Sequence, residues 1–327
     1  MDLKTFNPNG VGVDNGAYYG LPFTPEEAAL VLVSAPWDVT VSYGAGTALA
    51  PDALIEASTQ LDLYDASAPG AWLGGIATAD IDYSLLEESR KLRADAERVI
   101  EHLEEGGAPD DERIERRLRR INEGCAAMND NIYRQARQWL SQGKVVGLVG
   151  GDHSTPYGLI RAVAEKEGSL GILHIDAHCD LPQVSKLVQV GVRDYCDAEA
   201  ERAASDGRIA MFDSRSLARA GFAGTTWAES CRRIVDELPE VVYISFDIDG
   251  LTIEHCPHTG TPVPGGITFE QVVYLMECVA DSGRRIAGFD LVEVVPCPED
   301  KIDAVVGARV LYKLCGLALR TSSAGRG

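Results

Sequence analysis

The stretch that decides the fold covers residues 241–249 and reads Val-Val-Tyr-Ile-Ser-Phe-Asp-Ile-Asp. It begins as an apolar run with β-branched residues and ends in two carboxylates, Asp247 and Asp249. A short apolar run of this kind is typical of a strand that is buried on both faces, as in a parallel sheet. The two carboxylates then stand where the strand gives way to a loop, and ligands bind at that end of a parallel sheet.

Two earlier stretches repeat this arrangement. Residues 145–149 lead into Gly-Gly-Asp-His-Ser at 150–154, and residues 170–175 lead into Asp-Ala-His-Cys-Asp at 176–180. We therefore expect three strand ends to bring acidic and imidazole groups into one crevice. Several carboxylates in one crevice repel one another and are costly to desolvate unless cations lie among them. The candidate metal ligands are His153, Asp176, His178, Asp180, Asp247 and Asp249.

The rest of the chain alternates short apolar runs with amphipathic helical segments, which predicts a parallel sheet with helices on both faces. The predicted strands cover 28–34, 145–149, 170–176, 187–192, 241–247 and 286–291, and the predicted helices cover 50–64, 85–106, 112–142, 156–167, 227–237, 268–281 and 303–317. We interpret residues 1–327 as a single domain whose first 25 residues, rich in Gly, Asn and Pro, are irregular.

The composition is that of a soluble globular protein, with 45% hydrophobic residues and a formal net charge of −20. No stretch approaches the ~20 apolar residues of a membrane span, and no secretory signal is visible, so a cytoplasmic location is expected. The negative charge argues against binding to nucleic acids or anionic membranes and favours a cationic substrate.

The eight cysteines form no C-x-x-C pair and are interpreted as reduced. Cys179 lies between two ligands on a strand, faces away from them and is interpreted as a buried structural thiol.

Taken together, these motifs resemble those of the ureohydrolase family, which contains arginases, agmatinases and formiminoglutamases. The matching stretches are 150–154, 176–180, 245–249, Thr-Gly-Thr-Pro-Val-Pro-Gly-Gly at 259–266 and Gly-Phe-Asp-Leu-Val-Glu-Val at 288–294. The resemblance covers almost the whole chain and is closest to agmatinase-like members. It implies a three-layer α/β/α sandwich around a mostly parallel sheet, two divalent cations that are usually manganese, with nickel as an alternative, and a homo-oligomer of three or six chains.

The resemblance also implies a role for each ligand. One metal ion is held by His153 and Asp180, the other by His178 and Asp249, and Asp176 and Asp247 bridge the two. A carboxylate-rich set with only two imidazoles suits a hard or borderline cation such as Mn²⁺. Two such ions can share a hydroxide that attacks a guanidinium carbon at neutral pH. Asp180 is expected to accept a hydrogen bond from this hydroxide, and urea and an amine are released.

Other residues are assigned to the substrate. Glu293 matches the family residue that pairs with the guanidinium, a contact that fixes the reacting carbon; the alternative is a buried glutamate satisfied by backbone amides. Thr261 is a weaker substrate contact, and Asp194 either recognises an amine at the far end of the substrate or belongs to a structural turn. Asp152 is expected to orient the ligand His153.

Two departures from the family pattern stand out. The third motif continues with Thr252-Ile253 where the family has Asp-Pro, which disfavours an ordinary arginase. In addition, only residues 181–186 separate Asp180 from the next predicted strand, whereas parallel strands need a crossover of about a dozen residues. The family carries a proton-shuttling His in this interval, and 181–186 contain none. Either a segment is missing between Leu181 and Pro182, which we favour, or the protein has lost it and altered its catalysis.

Three classes of function remain open at this point. The first is a binuclear manganese enzyme that cleaves a guanidinium C–N bond, with agmatine as the first substrate and with arginine, guanidinobutyrate, guanidine and formiminoglutamate as alternatives. The second is a catalytically silent relative that acts as a binding or regulatory subunit. The third is a deacetylase of related architecture, which would need fewer carboxylates around a single zinc ion.

Overall fold

The computed structural model describes residues 6–179 and 184–322. Within them, eight strands form one sheet: β1 Leu30–Ala35, β2 Ile76–Thr78, β3 Val145–Gly150, β4 Gly171–Ile175, β5 Lys186–Val190, β6 Ile209–Phe212, β7 Val241–Asp247 and β8 Arg285–Val292. Their order across the sheet is β2-β1-β3-β8-β7-β4-β5-β6, and every pairing is parallel. The strands of the central sheet are buried along almost their whole length, which explains why their sequences are continuously apolar.

Helices cover both faces of this sheet. In the described residues they are α1 Ala50–Ser58, α2 Tyr83–Glu104, α3 Glu112–Leu140, α4 Tyr157–Glu167, α5 Asp197–Ser205, α6 Ser214–Phe222, α7 Trp227–Asp236, α8 Phe269–Asp281 and α9 Ile302–Thr321. Leu92 of α2, Met128 of α3 and Leu159 of α4 belong to the core on one face. Helices α1, α7, α8 and α9 contribute to the core on the other face. The predicted three-layer α/β/α sandwich is therefore confirmed, with a fully parallel sheet.

Helix boundaries follow local capping chemistry. Asp82 and Asp111 accept hydrogen bonds from the backbone N–H groups of Ser84 and Arg113 at the starts of α2 and α3. Thr268 forms a reciprocal capping box with Gln271 at the start of α8. The elements that the sequence did not predict are β2, α5, β6 and α6. β2 and β6 are the edge strands of the sheet, only three and four residues long, and α5 and α6 contain no fully buried residue.

The connection between β4 and β5 is short. The two strands are parallel neighbours, with Gly171 opposite Lys186, and only residues 176–185 join them. That is fewer than the dozen or more residues of an ordinary parallel crossover. The predicted break between Leu181 and Pro182 lies outside the described residues and stays a prediction.

The topology brings four strand ends together. β3, β8, β7 and β4 are consecutive in the sheet, and because all are parallel their carboxyl ends lie on one edge. The loop after β7 packs closely on the end of β4: a Cβ atom on Gly250 would lie 2.8 Å from the backbone nitrogen of Asp176. Only glycine allows this approach. None of the described helices is long and apolar enough to cross a membrane.

Candidate metal centre

Five of the six predicted ligands converge at this edge of the sheet. His153 follows β3, Asp176 and His178 follow β4, Asp247 is the last residue of β7, and Asp249 lies in the 3-10 turn Ile248–Gly250 directly after it. Asp176, Asp247 and Asp249 are at most 2% exposed. The sixth predicted ligand, Asp180, lies outside the described residues.

The two imidazoles divide the cluster into an inner half around His153 and an outer half around His178. In the inner half, Nδ1 of His153 lies 2.9 Å from Oδ2 of Asp176 and 3.1 Å from Oδ2 of Asp247. In the outer half, Nδ1 of His178 lies 3.1 Å from Oδ2 of Asp249 and 3.4 Å from Oδ1 of Asp176. Asp176 therefore presents one oxygen to each half, as a carboxylate that bridges two cations would.

Electrostatics show that this cluster favours positive charge. Burial raises the pKa of Asp247, and the nearby carboxylates of Asp249 and Asp176 raise it further. Hydrogen bonds to Asp176 and Asp249 raise the pKa of His178 to about 11. Burial lowers the pKa of His153, but its contacts with Asp176 and Asp247 outweigh this effect and raise it well above the usual value. The raised pKa values mean that these groups bind protons readily. Metal cations in the same place would likewise reduce the repulsion among the carboxylates.

Backbone amides also orient the carboxylates. The amide of His178 donates to Oδ1 of Asp176 at 2.6 Å, and the amide of Asp249 donates to Oδ1 of Asp247 at 2.9 Å. The amide of Ala177 donates to Oδ1 of Asp249 at 3.0 Å. These bonds fix the carboxylates, and in Asp247 and Asp249 they leave the other oxygen, Oδ2, facing an imidazole. Carboxylate oxygens with two imidazole nitrogens fit a hard or borderline divalent cation, so the donor set fits the predicted metal ions.

A third imidazole, His174, was missed by the sequence analysis. It lies on β4 two residues before Asp176, is only 2% exposed, and places Nε2 3.1 Å from Oδ2 of Asp176. Its ring stacks on that of His153, with ring centroids 5.1 Å apart. The available signal was the two-residue spacing, because residues i and i+2 of a strand share a face.

The prediction that Asp152 orients His153 is wrong, because the imidazole contacts Ser245 and not Asp152. Both carboxylate oxygens of Asp152 accept hydrogen bonds from elsewhere, Oδ2 from Thr40 and Oδ1 from Ser154. The Nε2 atom of His153 instead lies 3.0 Å from the hydroxyl oxygen of Ser245. Asp152 thereby ties the loop after β1 to the loop after β3, while a side chain of β7 orients the imidazole.

Glu293 lies directly after β8 with an unusual backbone conformation. Its φ of 60° is in the left-handed region, which is rare for a residue other than glycine and recurs at functional sites. Its Oε1 accepts a hydrogen bond from the amide of His153 at 2.8 Å, and its own amide donates to the carbonyl of Gly151. Burial, reinforced by the charge of Asp152, raises its pKa to about 8. A cationic neighbour would stabilise the charged form of such a buried carboxyl group.

A cavity of about 590 Å³ opens beside the inner half. Glu293, Thr261 and His153 line its metal end, and Asn129, Tyr157 and Ile160 line the wall formed by α3 and α4. The hydroxyl of Thr261 donates to Oδ2 of Asp249 at 3.4 Å. The structure therefore brings Glu293 and Thr261 together with the candidate ligands, in one space that is large enough for a small organic cation.

Two further residues for which the sequence analysis makes a prediction, Asp194 and Cys179, do not line this cavity. Asp194 is exposed, pairs through its backbone with His178, and is not part of the lining of this cavity. Cys179 is 3% exposed, and its sulfur lies 3.6 Å from the side-chain oxygen of Gln189. The structure thus places Cys179 as a buried thiol, in agreement with its interpretation.

Comparisons of the sequence with known proteins point to one enzyme family, and comparison of the structure shows the same fold. The sequence profile of the arginase family matches residues 28–186 and 181–316. The N(1)-aminopropylagmatine ureohydrolase of Thermus thermophilus is 27% identical over 332 residues, covering 91% of this chain and 94% of that protein. The agmatinase of Edwardsiella ictaluri is 33% identical over 211 residues, covering 57% of this chain and 64% of that protein. The crystal structure of the agmatine ureohydrolase of Thermoplasma volcanium superposes with a TM-score of 0.66 at 20% identity, covering 91% and 92% of the two chains, and shares the fold.

Proposed function

This chain belongs to the arginase family of ureohydrolases, and we propose that it hydrolyses the guanidinium group of an agmatine-like substrate at two divalent metal ions, most simply Mn²⁺. The observation that carries the proposal is the placement of Asp176 between two imidazoles, with one oxygen directed to each. A buried carboxylate in that position has the geometry of a ligand shared by two ions.

The proposed ligand sets follow the two halves of the cluster. His153 binds the inner ion, His178 and Asp249 bind the outer ion, and Asp176 and Asp247 bridge them. Asp180 completes the inner set by the family resemblance alone. The contacts of His153 with Asp176 and Asp247, and of His178 with Asp249, support the division. Two ions held in this way would lower the pKa of bound water and supply a nucleophile at neutral pH.

The remaining steps belong to side chains of the cavity. The carboxylate of Glu293 pairs with the planar guanidinium and holds its carbon beside the cluster. Its left-handed backbone and its bond from the amide of His153 fix the direction of the carboxylate toward this space. The hydroxyl of Thr261, between Asp249 and the cavity, provides a second polar contact for the substrate. In this proposal Asp180 accepts a hydrogen bond from the attacking hydroxide.

Agmatine is the first substrate to test because the relatives include an agmatinase and an aminopropylagmatine ureohydrolase. The net charge of −20 also attracts a dication. Among the cavity-lining residues the carboxylates are those of Asp152 and Glu293, both at the metal end. Recognition of a distal amine by a further carboxylate therefore depends on Asp194 or on residues outside the described part, and Asp194→Asn tests the first alternative. A rise in KM for agmatine, with KM for guanidinobutyrate unchanged, is the expected result if Asp194 binds the amine.

The test of the function is urea release from the full chain loaded with Mn²⁺ or, separately, with Ni²⁺. The substrates are agmatine, aminopropylagmatine, arginine, guanidinobutyrate and guanidine, with formamide release measured for formiminoglutamate. We expect agmatine or aminopropylagmatine to give the highest kcat/KM and Mn²⁺ to be the better metal. Two bound metal ions without turnover of any of these compounds would favour the silent binding subunit, and a single bound zinc would favour deacetylase chemistry.

We also propose that the natural chain carries further residues between Leu181 and Pro182. The short β4–β5 connection supports this proposal, and so does the family match, which is divided into two ranges that meet at 181–186. The intact mass of the protein from its native source tests it: a mass above 35.2 kDa with extra peptides after Leu181 is expected. A mass equal to that of the present sequence would contradict the proposal. Light scattering of the same sample tests the trimer or hexamer that the family resemblance implies.

A further inference from the structure

Three buried polar residues form a row across the sheet beneath the metal cluster. Ser245 of β7 pairs in register with His174 of β4 on one side and with Asp290 of β8 on the other. The three side chains are at most 2% exposed. We call them the polar row. His174 and Ser245 stand about one strand step below the candidate ligands, because Asp176 and Asp247 follow them by two residues on the same face.

The middle residue of the polar row, Ser245, reaches His153. The hydroxyl of Ser245 donates to Oδ1 of Asp290 at 3.1 Å, and its oxygen lies 3.0 Å from Nε2 of His153. A serine has one hydroxyl hydrogen, so once it donates to Asp290 its oxygen can only accept from the ring. Nε2 of His153 therefore carries hydrogen, which leaves the lone pair of the neutral ring on Nδ1. Nδ1 is the atom that faces Asp176 and Asp247.

One end of the polar row, His174, reaches Asp176 directly. Nε2 of His174 lies 3.1 Å from Oδ2 of Asp176, the same oxygen that lies 2.9 Å from Nδ1 of His153. The stacked rings of His174 and His153 also restrict each other's rotation. A polar row is costly in a layer whose neighbours include Leu148 and Ile172, so a purely structural sheet would favour apolar residues here.

We propose that Asp290, Ser245 and His174 are positioning residues that fix the tautomer of His153 and the orientation of Asp176 for the inner metal ion. This rests on the proposed function in one respect, namely that His153 and Asp176 bind a metal ion. Residues that hold metal ligands from behind tune metal affinity, and their loss typically costs 10- to 100-fold. The outer half meets the polar row only through the shared Asp176, so we expect its metal ion to lose less affinity than the inner one.

The experiment compares Ser245→Ala and His174→Phe with the wild-type chain. Mn²⁺ is titrated into the metal-free protein, and free Mn²⁺ is followed by electron paramagnetic resonance, which gives the number and affinity of sites without any substrate. We expect two sites in the wild type, and one of them weakened about 10- to 100-fold in each variant. His174→Gln, which keeps a polar side chain able to donate to the nearby Asp176, is expected to keep both affinities within a few-fold of the wild type.

Ile172→Val serves as the matched control, since it alters the same face of β4 without removing a polar contact. Its metal-free protein is expected to unfold at a lower temperature while binding Mn²⁺ as the wild type does. Variants of the polar row that behave like Ile172→Val, with lower thermal stability and unchanged affinities, would overturn the proposal. Urea release is measured on the same samples: a wild type that binds two Mn²⁺ ions and releases no urea contradicts the proposed function, while the affinities still decide the role of the polar row.

Discussion

The inner and outer halves of the candidate metal centre are held by different parts of the fold. The inner imidazole, His153, is 11% exposed and is contacted by the side chain of Ser245 from a central strand. The outer imidazole, His178, is 30% exposed and lies in the loop after β4, where its backbone pairs with Asp194. A group supported by strands is held more rigidly than one supported by loops. The comparison therefore predicts a tighter inner metal ion and a more exchangeable outer one.

Removing the carboxylate shared by the two halves should have the largest effect. Asp176→Asn removes the shared negative charge and replaces one of the two oxygens that face the imidazoles. We therefore expect both metal ions to be lost and urea release to fall by more than about a hundredfold, the upper range for indirect contacts. Metal content after dialysis, measured with kcat, checks this prediction. A variant that keeps one ion at wild-type affinity would show that Asp176 belongs to one half only.

Removing each imidazole separately should distinguish the halves. His153→Asn is expected to empty the inner site and His178→Asn the outer site, each with at least a tenfold loss of affinity at its own position. The wild-type protein is expected to release its outer ion first when a chelator is added, because His178 is the more exposed ligand. Stepwise loss of Mn²⁺ against chelator concentration gives the measurement. If both ions were released at the same chelator concentration, the claim that the inner half is held more tightly than the outer half would be wrong.

Neutralising Glu293, the proposed partner of the guanidinium, should weaken substrate binding without weakening metal binding. Glu293→Gln keeps the size of the side chain but removes its charge, so the hydrogen bonds to the guanidinium are weakened. A charged hydrogen bond contributes about 1.5–3 kcal/mol, which corresponds to a roughly 10- to 150-fold loss in kcat/KM. Steady-state kinetics with agmatine and Mn²⁺ titration of the same sample check this. If Mn²⁺ affinity fell by the same factor as kcat/KM, Glu293 would belong to the metal centre and not to the substrate site.

The smallest effect is expected at Thr261. Thr261→Val keeps the shape of the side chain and removes a hydroxyl whose contact with Asp249 is long, 3.4 Å. A net hydrogen bond contributes about 1 kcal/mol, so kcat/KM should fall about fivefold. Thr261→Ser, which retains the hydroxyl, should stay close to the wild type. A loss greater than that of Glu293→Gln would reverse the assigned importance of these two residues.

The sequence predicted the strand-end positions of the candidate ligands because the information for these positions is local. Each ligand pair follows its own apolar run at a spacing of two, so Asp176 with His178 and Asp247 with Asp249 could be recognised without knowing which strands are neighbours. The contacts of the polar row depend instead on register between strands. Asp290 reaches Ser245 only because β8 is inserted between β3 and β7 in the sheet.

The same reason explains the error at Asp152. Its position beside His153 in the sequence suggested a contact, but adjacent residues need not face each other, and Ser245 occupies that position from a strand 92 residues away. The unpredicted elements β2 and β6 are three and four residues long. Runs this short carry too little periodicity to be recognised, and their position at the sheet edges follows only from the tertiary fold.

The central claim is that two metal ions bind between His153 and His178 and share Asp176. Crystals of the full chain grown with Mn²⁺ allow the most direct measurement, an anomalous difference map from data collected at the manganese absorption edge. The account predicts two peaks, one beside Nδ1 of His153 and one beside Nδ1 of His178, both in contact with the carboxylate of Asp176. A single peak, or two peaks of which one does not contact Asp176, would contradict it.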